Sequence, residues 1–125
     1  MKGLLAGALL MMAGPCVAPT APPASHPLSP QAAAAAWSDA YNRDDRTQLR
    51  WLVHPETRDD FDRRPALAAE LETWQVVRYR VAGPVKVDGR FDGREGTVQL
   101  GDGRRIEERP IVLVEAEGRW WIWGR

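Results

Sequence analysis

The sequence predicts an α+β domain, with N-terminal helices packed on one face of a curved antiparallel sheet. Three observations predict it. Over residues 30–73 the apolar side chains recur at helical spacing. After Trp74 the period falls to two. Asp-Gly or Glu-Gly pairs then punctuate the alternating segments, so successive strands turn back on themselves. Helices followed by a run of hairpins is the α+β order, distinct from the alternation of a parallel sheet.

Each element has its own local reason. Ser29-Pro30 starts a helix, with a hydroxyl to cap free amides and a proline at the first helical position. The Ala-rich run that follows has high helix propensity, and Ala33, Trp37, Ala40 and Tyr41 form its buried stripe. Asn42-Arg43-Asp44 breaks it. Asp45 with Gln48 reads as a capping box for a second helix carrying Leu49, Leu52 and Val53, which His54-Pro55 ends. A third helix is expected over about residues 65–73, with Leu67, Leu71 and Trp74 on one face. Between them, Arg58-Asp59-Asp60-Phe61-Asp62-Arg63-Arg64 alternates in charge and reads as a solvated linker. Val77, Tyr79 and Val81 open the sheet, a kink at Gly83-Pro84 leads into Val85 and Val87, and turns are expected at Asp88-Gly89, Asp92-Gly93, Asp102-Gly103 and Glu117-Gly118.

Composition narrows the function classes. The chain has 125 residues, with 17 Lys+Arg balancing 17 Asp+Glu, which argues against a nucleic-acid partner. A single cysteine excludes an intramolecular disulfide and a CxxC redox centre. A mean hydropathy of −0.41 and the lack of any 20-residue apolar run exclude a polytopic membrane protein.

The first thirty residues read as an address. Met1-Lys2 is a short positive start and residues 3–13 are an apolar run of secretory length, too short to span a bilayer. Ala13-Gly14-Pro15-Cys16 resembles a bacterial lipobox, departing from it at Pro15. Residues 1–16 are therefore expected to be a signal peptide ending at a lipidated Cys16, the alternative being a cysteine discarded with the leader. Residues 17–28 are a Pro/Ala-rich tether in which His26 is a spacer, and residues 29–125 are the folded domain. The expected location is the periplasm, with an outer-membrane anchor through the lipid alone.

Trp37-Ser38-Asp39-Ala40-Tyr41-Asn42-Arg43-Asp44-Asp45 resembles the opening of NTF2-like (cystatin-like, SnoaL-like) domains, and Leu113-Val114-Glu115-Ala116-Glu117-Gly118-Arg119-Trp120-Trp121-Ile122 resembles their last hairpin. The resemblance covers most of residues 29–125. It implies a curved sheet wrapping a helical layer into a cone, often with a pocket at the wide end, which Trp37, Tyr41, Tyr79 and Trp120 are expected to line. It implies no activity, because the fold carries isomerases, cyclases, dehydratases and non-catalytic envelope lipoproteins alike.

Catalysis in that family needs an Asp, Glu or His pointing into the cone. His54 is the one imidazole in residues 29–125, and Asp59 follows it, so the pair is the candidate for general acid/base work. The competing reading has His54 capping a helix end. No metal or cofactor is expected: Asp88-Gly89-Arg90-Phe91-Asp92-Gly93 superficially resembles a calcium loop but has Gln99 where the bidentate Glu belongs. Arg78 and Arg80 suit an anionic ligand or cross-strand pairing with Glu107 or Glu108, the second reading being preferred.

The last hairpin is more informative. A two-residue Glu117-Gly118 turn puts Val114 opposite Trp121 and Val112 opposite Trp123, on the face away from Ile111, Leu113, Trp120 and Ile122. Val112, Val114, Trp121 and Trp123 are then expected to form an apolar outer patch, an interface for a homodimer or another envelope protein unless the chain's own tether covers it. The function expected is a non-catalytic, lipid-anchored envelope binding or assembly module acting through that face or through the cone pocket with a small apolar ligand. The alternative is a SnoaL-like isomerase or dehydratase using His54 with a nearby Asp.

Overall fold

The computed structural model describes residues 26–124. The expected signal peptide, Cys16 and residues 17–25 of the expected tether lie outside the described residues.

Helix α1 (Pro30–Asn42) begins where the Ser29 hydroxyl accepts the Ala32 N–H at 3.0 Å. It ends as the chain enters the left-handed region at Asp44, φ 56°. Helix α2 (Arg46–Leu52) is capped by the Asp45 carboxylate, which accepts the Gln48 N–H at 3.1 Å. A single 3-10 turn (Pro55–Thr57) runs into α3 (Arg58–Asp62), and α4 (Leu67–Thr73) closes the helical half. The stretch expected to be a solvated linker is therefore partly helical. Asp59, Asp62, Arg63 and Arg64 are exposed, but Arg58 is half-buried on backbone carbonyls, and α3 turns Phe61 inward, where its ring meets Trp37 edge-on with centroids 6.0 Å apart.

The sheet has four antiparallel strands in chain order: β1 (Gln75–Val87), β2 (Phe91–Gly101), β3 (Ile106–Ala116) and β4 (Arg119–Ile122). The tight turns at Asp88-Gly89 and Glu117-Gly118 hold both residues at positive φ, the geometry that matches strand twist. At Asp102 the carboxylate accepts the N–H groups of Arg104 and Arg105, both at 2.8 Å. Asp92-Gly93 is not a turn; it lies inside β2, paired with Lys86 and Val85. Two register shifts interrupt the β1–β2 ladder, after Val76 and between Val81 and Pro84. Near the second, a Cβ on Gly96 would fall 2.5 Å from the Arg80 carbonyl oxygen, so only glycine allows that close approach.

Because β1 pairs only with β2, Arg78 faces Gln99 and Arg80 faces Thr97. The expected pairing with Glu107 or Glu108 is ruled out by topology, since those glutamates lie on β3 and β2 stands between.

The helices pack on one sheet face. Ala33, Trp37, Tyr41, Leu49, Leu52, Phe61 and Leu71 meet Val98, Leu100, Ile111, Leu113 and Ile122 in the main core. Leu49, Leu52 and Leu113 are fully buried, each worth roughly 1.5–3 kcal/mol of apolar transfer. Helix α2 is tied to the last strand by a parallel bridge from Val53 to Ile122, and the His54 N–H donates to the Ile122 carbonyl at 2.8 Å.

The opposite face carries a second cluster: Val87, Val114, Trp121 and Trp123, with Val85, Phe91 and Val112 against it. The hairpin register is the one the sequence predicts, Val114 pairing with Trp121 and the Trp123 N–H donating to the Val112 carbonyl at 2.9 Å. The exposure is not. Trp121 is 5% and Trp123 9% exposed, and Val114 is fully buried. The chain covers these rings itself. His54 packs against Trp121, Trp123 and Phe91, and His26 lies 3.9 Å, centroid to centroid, from Trp121. His26 is thus no spacer: it is 4% exposed, and the adjacent Pro27 carbonyl accepts the Trp120 N–H at 2.9 Å.

Candidate functional site

A cavity of about 690 Å³ opens between the helical layer and the sheet. Trp37 and Tyr41 reach it from α1, Phe61 from α3, Val98 and Leu100 from β2, Ile111 from β3 and Ile122 from β4. These positions follow from the two periods. Trp37 and Tyr41 are four residues apart on one helical face, and Val98, Leu100, Ile111 and Ile122 alternate onto the inner face, while Val112 and Trp123, expected on the outer patch, also border the cavity. The end of α1 is held in place by Asn42, whose side chain bonds both backbone groups of Val76: it donates to the carbonyl at 3.0 Å and accepts the N–H at 2.7 Å. That clamp sets where the neighbouring Tyr41 stands.

One end of the cavity is polar. Glu70 of α4 accepts from Arg64 Nη2 at 2.7 Å and from Arg109 Nη1 at 2.5 Å. Arg109 also donates through Nε and Nη2 to Glu107, at 2.9 and 2.6 Å. These carboxylates hold the Arg109 guanidinium firmly in its charged form. The Tyr41 hydroxyl lies within the field of this cluster. Burial, with the Glu70 charge adding to it, pushes its pKa up to about 12, so it stays protonated and neutral. Tyr41 is 4% exposed and its hydroxyl oxygen is buried without a hydrogen-bond partner.

Of the four residues expected to line a pocket, the structure brings together Trp37 and Tyr41. Tyr79 pairs with Val98 but sits on the edge strand, 40% exposed, and does not line the cavity. Trp120 stands over a separate shallow cleft with Pro84, Lys86, Arg94 and Glu115. The polar end was not anticipated. Arg109 was nonetheless readable, because it shares the parity of Ile111 and Leu113, the residues the hairpin puts on the helical side. Glu70 carries no comparable signal, since a lone glutamate in a short helix looks like any solvated one.

His54 and Asp59 are absent from the cavity lining. The His54 Nδ1 accepts the Glu56 N–H at 3.2 Å, and its carbonyl accepts from the Thr57 N–H and hydroxyl. Burial lowers the imidazole pKa, keeping it neutral. The residue caps the 3-10 turn and fills space among aromatic rings. Among the described residues no three His, Cys, Asp or Glu side chains converge as metal ligands, and no helix is long and apolar enough to cross a membrane.

No protein-family model, no curated protein and no solved structure matches this chain.

Proposed function

We propose that this chain is a non-catalytic binding domain of the NTF2-like type, holding a small and largely apolar ligand in the cavity between α1 and the sheet. The observation that carries the reading is the cavity itself: about 690 Å³, walled by aromatic and aliphatic side chains, with one polar end. Small-molecule sites are commonly of this size and lining. The cone assignment draws support from α1 lying against a four-stranded meander whose first strand shifts register twice. Between the two routes considered for binding, the cavity is favoured, because the outer-face tryptophans are already enclosed by the chain. The isomerase or dehydratase alternative draws no support from His54, which is engaged in capping.

For location we propose export and lipidation at Cys16, holding the domain to the periplasmic side of the outer membrane. The support is the sequence alone: the positive start, the short apolar run and the small residues before the cysteine.

Titration with Nile red, a neutral apolar dye, tests the cavity. Saturable binding is expected, lost in Val98→Phe, which places a ring into the open space while the protein stays folded by circular dichroism. Undiminished binding to that variant, or no saturable binding to the wild type, contradicts the reading.

A further inference from the structure

The polar end of the cavity has more to say about the ligand. Its charged groups are paired: Glu70 with Arg64 and Arg109, and Asp60, which also lines the cavity, with Arg63 at 3.7 Å. Arg109 directs Nε, Nη1 and Nη2 at Glu107 and Glu70, and Arg64 directs Nη2 at the same Glu70. An incoming carboxylate or phosphate would have to break these bonds and settle beside Glu70. An incoming ammonium would have to compete with two arginines for that carboxylate. The Tyr41 hydroxyl is different: its oxygen is buried and bonded to nothing, Tyr41 lines the same cavity, and the charges acting on the hydroxyl are those of Glu70, Arg109 and Arg64. A buried hydroxyl left without a partner costs about 1–3 kcal/mol, so a structure that keeps one gains wherever a ligand supplies the missing atom.

We propose that the ligand is an uncharged, mostly apolar molecule carrying one acceptor oxygen, a carbonyl or an ether, which accepts a hydrogen bond from the Tyr41 hydroxyl. The inference rests on the cavity being the binding site. The hydroxyl is a donor at every physiological pH, because burial and the Glu70 charge keep it protonated. Trp37 of α1 and Phe61 of α3, their rings inclined by 73°, suit a flat or ring-shaped apolar body. Glu70 and Glu107 with Arg64 and Arg109, two carboxylates against two guanidiniums, then act as a wall without net charge that favours neither anions nor cations.

The test uses three probes of one shape: acetylnaphthalene, ethylnaphthalene and naphthoate, titrated calorimetrically into the protein and into Tyr41→Phe. The expected result is that Tyr41→Phe weakens acetylnaphthalene by roughly three- to tenfold, the effect of one neutral hydrogen bond. Ethylnaphthalene is to bind both proteins alike, and naphthoate is to bind the wild type more weakly than the ketone. Loss of the same affinity for ketone and hydrocarbon, or tightest binding by naphthoate, overturns the ligand class while leaving the cavity reading intact. Binding of none of the three overturns both. The variant deletes only an unbonded oxygen, so unchanged circular dichroism is the expected control.

Discussion

The imidazole of His26 stacks on the indole of Trp51, with centroids 3.3 Å apart and planes inclined by 17°, while its Nε2 lies 2.8 Å from the Trp51 carbonyl oxygen. That contact fixes the tautomer: Nε2 carries the proton and Nδ1 is buried without a partner. Arg58 donates to the same carbonyl at 3.1 Å, and burial, with the Arg119 and Arg58 charges adding to it, resists a second proton on the ring. The end of the Pro-rich segment is thereby clipped to the domain.

This contact sets a pH dependence. Burial lowers the pKa of His26, and of His54, below the ordinary 6.5. Where the folded pKa lies below the unfolded one, the unfolded chain binds more protons once pH drops past the unfolded value, so stability falls with acidification. Urea midpoints are expected to be flat above about pH 7 and to fall as pH decreases through 6.5. His26→Phe, which keeps a ring on Trp51, is expected to flatten part of that slope. A midpoint that rises on acidification would contradict the account.

Trp121 belongs to the folding core. Its ring is enclosed by His26, His54 and the Val87–Val114 cluster, and its Nε1 donates to the Ala116 carbonyl at 3.1 Å. Trp121→Arg is expected to destabilise the domain by about 3–5 kcal/mol or more, as large core truncations do, read from denaturant unfolding. Had the ring been an exposed interface, the same change would leave stability within about 0.5 kcal/mol.

Tyr41→Phe should act in the other direction on the ligand-free protein. Removing a buried hydroxyl that bonds to nothing is expected to leave stability unchanged or raise it by about 1 kcal/mol. A loss of 2 kcal/mol or so on thermal unfolding would mean that the hydroxyl has a partner within the fold.

Cys16 is testable without reference to the fold. In a bacterial expression host, Cys16→Ser is expected to move the chain from the membrane to the soluble fraction and to abolish the acyl mass increment. Equal distribution of both proteins, with no acyl mass on the wild type, would reduce the cysteine to part of a discarded leader.

Much of the fold was legible because it rests on local chemistry. Ser29 and Asp45 cap the helices they were expected to cap, and Glu117-Gly118 sets a register in which Leu113 and Ile122 face the helices. What was hidden depends on non-local packing. The Asp/Arg run conceals a helix because one inward residue, Phe61, is all that α3 needs. The extra residue after Val76 hands the inner face to Tyr79 and Val81, and an edge position then leaves Tyr79 in solvent. A Pro-rich composition said nothing of His26, whose partners lie 25 and 95 residues away. Of the candidate site, the α1 stripe was readable from spacing; the Glu70 ion pairs, made across 6 and 39 residues, were not.

The most direct measurement is the amide chemical-shift map of the protein on adding acetylnaphthalene. Saturable shifts confined to residues around the cavity are expected, led by Trp37, Tyr41, Val98 and Ile111. Shifts centred instead on the exposed Val77, Tyr79 and Ile106, or on His26 and Trp121 across the sheet, would contradict the cavity reading.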